Sequence, residues 1–250
     1  MDLEKERLAP HPVLPEYYAD EKARRQRVDE MFDSSAKHYR WIVNVMSFGS
    51  GTYYRRTALL RAGLTPGMKV LDVGAGTGVV SLPAQEIVGS EGLVVAVDPS
   101  KGMLSEATKL GVKQAIMGLG EKLPIESNTF DFVTMGYALR HVADLEMLFS
   151  EYMRVLKPGG KILLLEISRP ASKPGLAALK FYMKIVVPTI TKIARRSSEA
   201  QELMRYYWDT IEHCVPPETI LAAMESSGLS KSERQVTMGI FSEYRGCKSA

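Results

Sequence analysis

The chain has 250 residues, of which 45% are apolar and 24% charged, with a formal net charge of +3. That balance suits a soluble globular protein with one sizeable core, or one domain with a lid, and the charge is too small to point to a nucleic-acid partner. No stretch reaches the roughly 18 apolar residues of a membrane span, and the opening "MDLEKERLAP" lacks both a signal core and transit-peptide character.

The prolines at 10, 12 and 15 mark residues 1–27 as an N-terminal arm that ends in a charged, helix-like patch, "ADEKARRQRVDEMF". Residues 28–62 carry helical patterning interrupted near "SFGSGT", which predicts a helical cap. A turn at Pro66-Gly67 then feeds a strand at about 69–73. Further strands are expected at 93–98, 113–118, 130–138 and 160–168, with helices at 79–88, 101–110 and 144–155 between them. Near-continuous apolar strands alternating with helices predict an α/β, doubly wound, mostly parallel sheet covered on both faces.

Pro158-Gly159-Gly160 reads as the stop of the preceding helix. Residues 169–215 break the alternation as a helical lid insertion, and 216–250 resume it, with a helix over 216–229 and a late strand at 236–244. The core between cap and insertion runs over 63–168. Cys214 and Cys247 lack metal-ligand spacing and read as unbridged thiols of a reducing, cytoplasmic compartment; no metal site is expected.

Chemistry concentrates in "VLDVGAGTG". Gly74, Gly76 and Gly78, with Ala75 between them, crowd small residues into the turn after the first strand, where a ligand approaches the backbone closely. A dinucleotide fingerprint would want glycine at Val79, and the lysine-serine ending of a phosphate loop is absent. The turn therefore favours a nucleoside without phosphate, and a nicotinamide oxidoreductase is disfavoured. Asp98, followed by Pro99, ends the second strand where a carboxylate can accept both hydroxyls of a ribose. Asp72 precedes the turn and can organise it or meet a cationic ligand.

Together "VLDVGAGTG", "VVAVDPSKGML", "EKLPIESNTFDFVTMGYALRHV" and "YMRVLKPGGKILLLEIS" resemble the class I S-adenosylmethionine-dependent methyltransferases. The flanks "VDEMFDSSAKHYRWIVNVMSFG", "ALRHV", "LEISRP" and "YRGCK" are similar to the ubiquinone/menaquinone biosynthesis C-methyltransferase family, and the likeness covers about residues 28–248. It implies a seven-stranded Rossmann-like sheet and S-adenosyl-L-methionine as cofactor, leaving S-adenosyl-L-homocysteine as product. It also implies that Asp72 and the 74–78 turn hold the methionyl part, that Asp98 holds the ribose, and that Met103 packs beside the adenine. Gly120 and Glu121 would approach the adenine edge. Relatives commonly carry Asp or Asn before them, whereas this chain has Leu119, which leaves the backbone of 119–121 to recognise the base.

Tyr137, Arg140 and His141 follow the fourth strand, where open parallel sheets place their active sites. Methylating a quinol ring carbon needs in-line alignment, exclusion of water and removal of one proton. Arg140 could stabilise a ring oxygen anion or close a salt bridge; His141, where relatives often have Asn, could move the proton or sit at the surface. Tyr39 reads as a cofactor or substrate contact or as a core residue, and Arg40 stands after it where relatives have Asp. His213, from the inserted helical region, could face the pocket, but placement on a helix surface is the expectation.

The segment 168–198 has seven Lys or Arg and no Asp or Glu around the apolar "LAALKFYMKIVVPTI". It reads either as a peripheral membrane contact with snorkelling lysines, or as a lid or homodimer contact, with Pro188 breaking any long helix. The expected function is methyl transfer to a ring carbon of a quinol-like small molecule. A phenolic or polyketide-like acceptor and a non-catalytic cofactor-binding scaffold are the alternatives.

Overall fold

A computed structural model describes residues 7–47, 49–195 and 198–250, without the side chains of 192–195 and 198–200. The first six residues of the arm, and Lys192, Arg195 and Arg196 of the insertion's positive charge, thus lie outside the described side chains.

Mostly buried apolar stretches form the central strands: β1 (Lys69–Val73), β2 (Leu93–Asp98), β4 (Phe130–Gly136) and β5 (Leu156–Ile167). β3 (Gln114–Met117) is an exposed edge, and β6 (Leu229–Thr237) and β7 (Phe241–Lys248) complete the sheet. The order is β3-β2-β1-β4-β5-β7-β6, in which β7 runs antiparallel to both its neighbours and the first five strands are parallel. The strand order reverses between β1 and β4, which opens a crevice at their carboxyl ends.

The period-two alternation decides what each face packs against. Leu71, Val73, Val133 and Met135 meet Leu148, Phe149 and Tyr152 of α5 (Leu145–Val155) and Met224 of α9 (Pro217–Ser226). Val70, Val94 and Phe132 face the other way, against Leu59 of α2 (Gly51–Arg61) and Ala84 and Val88 of α3 (Ser81–Val88). Each such buried apolar side chain contributes about 1.5–3 kcal/mol.

A separate apolar cluster holds the cover of the crevice. Val28, Met31 and Ile42 of α1 (Glu21–Met46) pack with Leu203, Met204, Tyr206 and Trp208 of α8 (Ser198–His213) and with Met183 and Val187. α1 starts at Glu21 because the Asp20 carboxylate accepts from the Ala23 N–H at 2.8 Å. The arm before it is packed: His11, Leu14 and Tyr18 are buried.

Three expectations need correction. The helix α5 ends before Pro158, because Leu156 is already extended (φ −70°, ψ 137°) and pairs with Phe130. Pro158-Gly159-Gly160 instead form a bulge between the Phe130–Leu156 and Phe132–Lys161 pairs, with Gly159 at φ +76°. Pro188 does not break the insertion. α6 (Lys173–Phe181) passes through a π-helical turn at Tyr182–Val186 into α7 (Val187–Arg195), where Pro188 occupies the first turn and needs no intrahelical N–H bond. The single late strand is a hairpin, β6 and β7, turned at Met238-Gly239 with both residues at positive φ.

Candidate functional site

The chain leaves β1 at Val73 and bends through Gly74, Gly76 and Gly78, all at positive φ (+64°, +55°, +79°). A Cβ on Gly74 would lie 2.6 Å from Ala138 Cβ, and one on Gly78 2.4 Å from Val112 Cγ2, so these two glycines serve the protein's own packing. At Gly76 a Cβ would meet only Tyr39 Cε1, at 3.8 Å. Gly76 therefore faces open space, and it is the position where a ligand can approach the backbone.

Asp98 closes the turn from β2. Its Oδ2 accepts from the Gly76 N–H at 2.8 Å and its Oδ1 from the Ser100 N–H at 2.9 Å. Each carboxylate oxygen keeps a lone pair for a further donor. Burial pushes this carboxyl up to about 6, against the opposing effect of the Ser100 and Gly76 bonds. Asp72 is fully buried and lies outside the cavity wall. Its Oδ2 accepts from Ser81 Oγ at 2.5 Å, and burial raises it to about 7. It supports the turn from behind the cavity wall through Ser81. Ala75 and Gly78 likewise lie off the wall, and the Ala75 N–H donates to Val97 O at 3.1 Å.

Gly74, Gly76, Asp98, Pro99, Met103, Leu119, Gly120, Glu121, Tyr137, His141 and Tyr39 are brought together around one cavity of about 360 Å³, a size usual for small-molecule sites. Met103 is carried by α4 (Lys101–Lys109), whose cap Ser100 accepts from the Met103 N–H at 3.0 Å. Glu121 turns its Oε1 to the Ala143 N–H, 2.5 Å away, and so ties the 119–121 loop to the segment after β4. Gly120 is forced by packing, since a Cβ would meet Leu148 Cδ1 at 2.6 Å.

Tyr137 follows β4 at φ +63°, with its N–H bonded to Leu165 O at 2.7 Å. A tyrosine in this region costs about 1–3 kcal/mol, and the bend it makes carries residues 138–143 over the cavity. Burial pushes its hydroxyl up to about 12, with Arg55 acting in the opposite direction.

Arg140 is the principal correction. It is fully buried, off the cavity wall, and paired with Glu166 (Nε to Oε2, 2.8 Å), with its Nη1 donating to Thr210 Oγ1 at 2.7 Å and Tyr207 O at 3.2 Å. It joins the turn after β4 to β5 and α8 from behind the Tyr207 ring, and the salt-bridge alternative holds over the anion-stabilising one. His141, its neighbour, does face the cavity. Its ring stacks on Tyr206 (5.4 Å, 26°) and meets Phe32 and Tyr207 edge-on. Nδ1 is 3.3 Å from Tyr206 Oη, while Nε2 is shut from solvent with no hydrogen-bond partner in the protein. Burial, then Arg140, His11 and Arg24, hold this imidazole well below its ordinary range, so it is neutral at neutral pH.

Sequence reasoning missed Arg24, Asp29, Phe32 and Tyr207, which also line the cavity. Tyr207 Oη lies 2.5 Å from Tyr39 Oη, latching α1 to α8 across the crevice. Only the apolar spacing of α1 and α8 hinted at these residues, and it could not say which face looks inward. Of the remaining candidates, His213 is on the surface, its Nδ1 2.9 Å from Asp209 O, and both cysteines are free. The residues present fit a sulfonium nucleoside: an open glycine, a carboxylate with spare acceptors, and an aromatic wall of Phe32, Tyr39, Tyr137 and Tyr207 suited to a cation.

The chain matches the ubiE/COQ5 methyltransferase family over residues 20–248. It is 32% identical over 237 residues to a ubiquinone/menaquinone biosynthesis C-methyltransferase UbiE of Idiomarina loihiensis, covering 90% of this chain and 93% of the relative. It is 34% identical over 191 residues to a demethylmenaquinone methyltransferase of Staphylococcus aureus, covering 75% and 79%. Among solved structures it shares its fold with a SAM-dependent methyltransferase of Thermotoga maritima, at TM-score 0.59 and 21% identity over 88% of this chain and 99% of that one. Another is a phosphoethanolamine N-methyltransferase 2 of Haemonchus contortus, at TM-score 0.63 and 18% identity over 93% and 61%.

Proposed function

The chain belongs to the ubiE/COQ5 methyltransferase family, and from that premise we propose that it methylates a ring carbon of a quinol, with His141 receiving the ring proton. It is an S-adenosylmethionine-dependent enzyme. When bound, the cofactor supplies an electrophilic methyl group.

The chain's own residues supply position, dryness and a proton acceptor. Gly76 admits the methionyl backbone and Asp98 takes the ribose hydroxyls. The aromatic wall of Phe32, Tyr39 and Tyr207 flanks the acceptor ring and keeps water out. As the ring carbon gains a methyl group it must shed its hydrogen, and restoring aromaticity makes that hydrogen strongly acidic. A weak base suffices. In the tautomer whose Nδ1–H donates to Tyr206 Oη, Nε2 of His141 keeps a lone pair that no protein donor occupies, on a residue that lines the cavity.

The observation that carries this reading is the His141 Nε2, buried at the cavity wall without a protein partner. The experiment is mass spectrometry of the products from a demethylquinol and a simple phenol, with wild-type protein and His141→Gln. Wild type should place labelled methyl on the quinol carbon. His141→Gln should lower kcat by about 10²–10⁴-fold with S-adenosylhomocysteine affinity retained. Label found only on the phenol oxygen would defeat the quinol assignment; undiminished turnover in His141→Gln would defeat the proton role.

The insertion supports a lipid surface as the source of the acceptor. α6 carries no buried residue, and Phe181 (61% exposed) and Ile185 (54%) project from one face, while the described part of the segment contains no acid. Lys180 and Lys184 bend back to Glu212 and Asp209 of α8, so attraction to anionic lipid falls chiefly to Arg169 and Lys173.

A further inference from the structure

Of the carboxylates that line the cavity, Glu21, Glu121, Asp144 and Asp98 are engaged by protein donors or assigned to the ribose, and Asp29 is neither. Asp29 lies on the α1 face that covers the crevice and lines the cavity with Ser100, Met103 and Leu119. It is half-buried and, among the described residues, makes no hydrogen bond or ion pair. Its position is fixed one turn further along α1. Asp33 Oδ1 accepts from Ser100 Oγ and, at 2.8 Å, from the Gly102 N–H, which clamps α1 to the start of α4. Residues four apart share a helix face, so the clamp holds Asp29 on that side.

An unpaired acid here is electrostatically unfavourable. Burial raises its carboxyl and Asp33 raises it further, while Arg25 acts against both; Asp29 in turn raises Asp98. The arrangement becomes favourable when a ligand brings hydrogen-bond donors.

The site's geometry says which donors. With the ribose on Asp98 and the methyl end directed across β1 and β4 toward Tyr137 and His141, the base must extend the other way, past Met103 and the 119–121 loop. That loop has little to offer an amine. Leu119 is apolar and its carbonyl already accepts from the Lys122 N–H at 3.2 Å, while Glu121 Oε1 is engaged by Ala143.

We propose that Asp29 accepts a hydrogen bond from the exocyclic amine of the cofactor's adenine, so that recognition of the base comes from the covering helix α1 and the loop after β3 is relieved of it. This assignment rests on the reading that the cavity takes S-adenosylmethionine, and the test separates the two.

Calorimetric titration would compare S-adenosylhomocysteine with its inosine analogue, in which a carbonyl oxygen replaces the amine, on wild type, Asp29→Ala and Asp29→Asn. Wild type should prefer the adenosine form by about 10–100-fold, the worth of a hydrogen bond to a charged group. Asp29→Ala should bind S-adenosylhomocysteine about tenfold more weakly and lose the preference. Asp29→Asn, whose amide offers both acceptor and donor, should bind the two ligands about equally. Melting temperatures should be unchanged or raised in both variants, since a repulsive charge is removed, which distinguishes lost recognition from lost folding. Full preference retained in a folded Asp29→Ala overturns the proposal. If wild type binds neither nucleoside, the methyltransferase reading falls and this assignment with it.

Discussion

Asp98 sits where burial and function oppose each other. Its carboxyl is held at about 6 and that of Asp72 at about 7, both by burial. The folded protein therefore holds these protons more tightly than the unfolded chain does. That contribution to stability is complete at low pH and fades as pH rises from about 4 toward 6 and 7. Cofactor binding has the opposite sign, because ribose hydroxyls donate to the ionised carboxylate and a sulfonium is attracted to it. Affinity for S-adenosylmethionine should be level above about pH 7 and should fall below pH 6, approaching tenfold per unit. Asp98→Asn should bind weakly with a flatter profile. Calorimetry between pH 5 and 8 checks this, and a wild-type affinity independent of pH would remove Asp98 from the ribose site. Asp98 was legible in the sequence because the end of a strand is a local feature. The partnerless Nε2 of His141 was not, because the rings around it come from positions 32, 206 and 207.

Between elements, one ion pair carries much of the site's geometry. The turn after β4 presents Tyr137 and His141 only while it stays fixed to β5 and α8. Arg140 makes both attachments, and Glu166 also accepts from the Leu139 N–H at 2.9 Å. Removing one partner of a buried pair leaves an uncompensated charge and costs about 3–5 kcal/mol. Arg140→Ala should lower the denaturation midpoint accordingly, with turnover lost through misplacement of His141. Chemical denaturation followed alongside kcat tests this; an unchanged midpoint with lost turnover would return Arg140 to a direct catalytic role. The arginine was legible in "ALRHV", but its direction was not. Its carboxylate partner lies 26 residues away and its α8 partners 67 and 70 away.

At the scale of the molecule, the sheet supplies a rigid floor and α1 with the insertion supplies the cover, each with its own apolar cluster. Among the described residues no helix is long and apolar enough to cross a membrane. The proposal that the acceptor comes from a lipid surface places the contact at the exposed Phe181 and Ile185. Flotation with vesicles should show binding to phosphatidylglycerol, weakened by salt, and little to phosphatidylcholine. The double variant Phe181→Glu/Ile185→Glu should lose vesicle binding and keep its affinity for S-adenosylhomocysteine. A concentration-dependent dimer abolished by the same changes would make this face a subunit contact instead.

The amino-acid order by itself determined what depends on near neighbours: the apolar strand runs, the glycine bend, the acid ending β2 and, through the combination of motifs, the family. Tertiary structure decided whatever depends on which distant groups share a buried space. It turned Asp72 and Arg140 away from the cavity, carried the chain through Pro188 by a π turn, folded the last residues into a hairpin, and brought Asp29, Phe32 and Tyr207 over the glycine bend. The reason is physical. Backbone preference and side-chain periodicity act over a few residues, whereas desolvation and partner choice act between groups far apart along the chain and are settled only when the chain closes on itself.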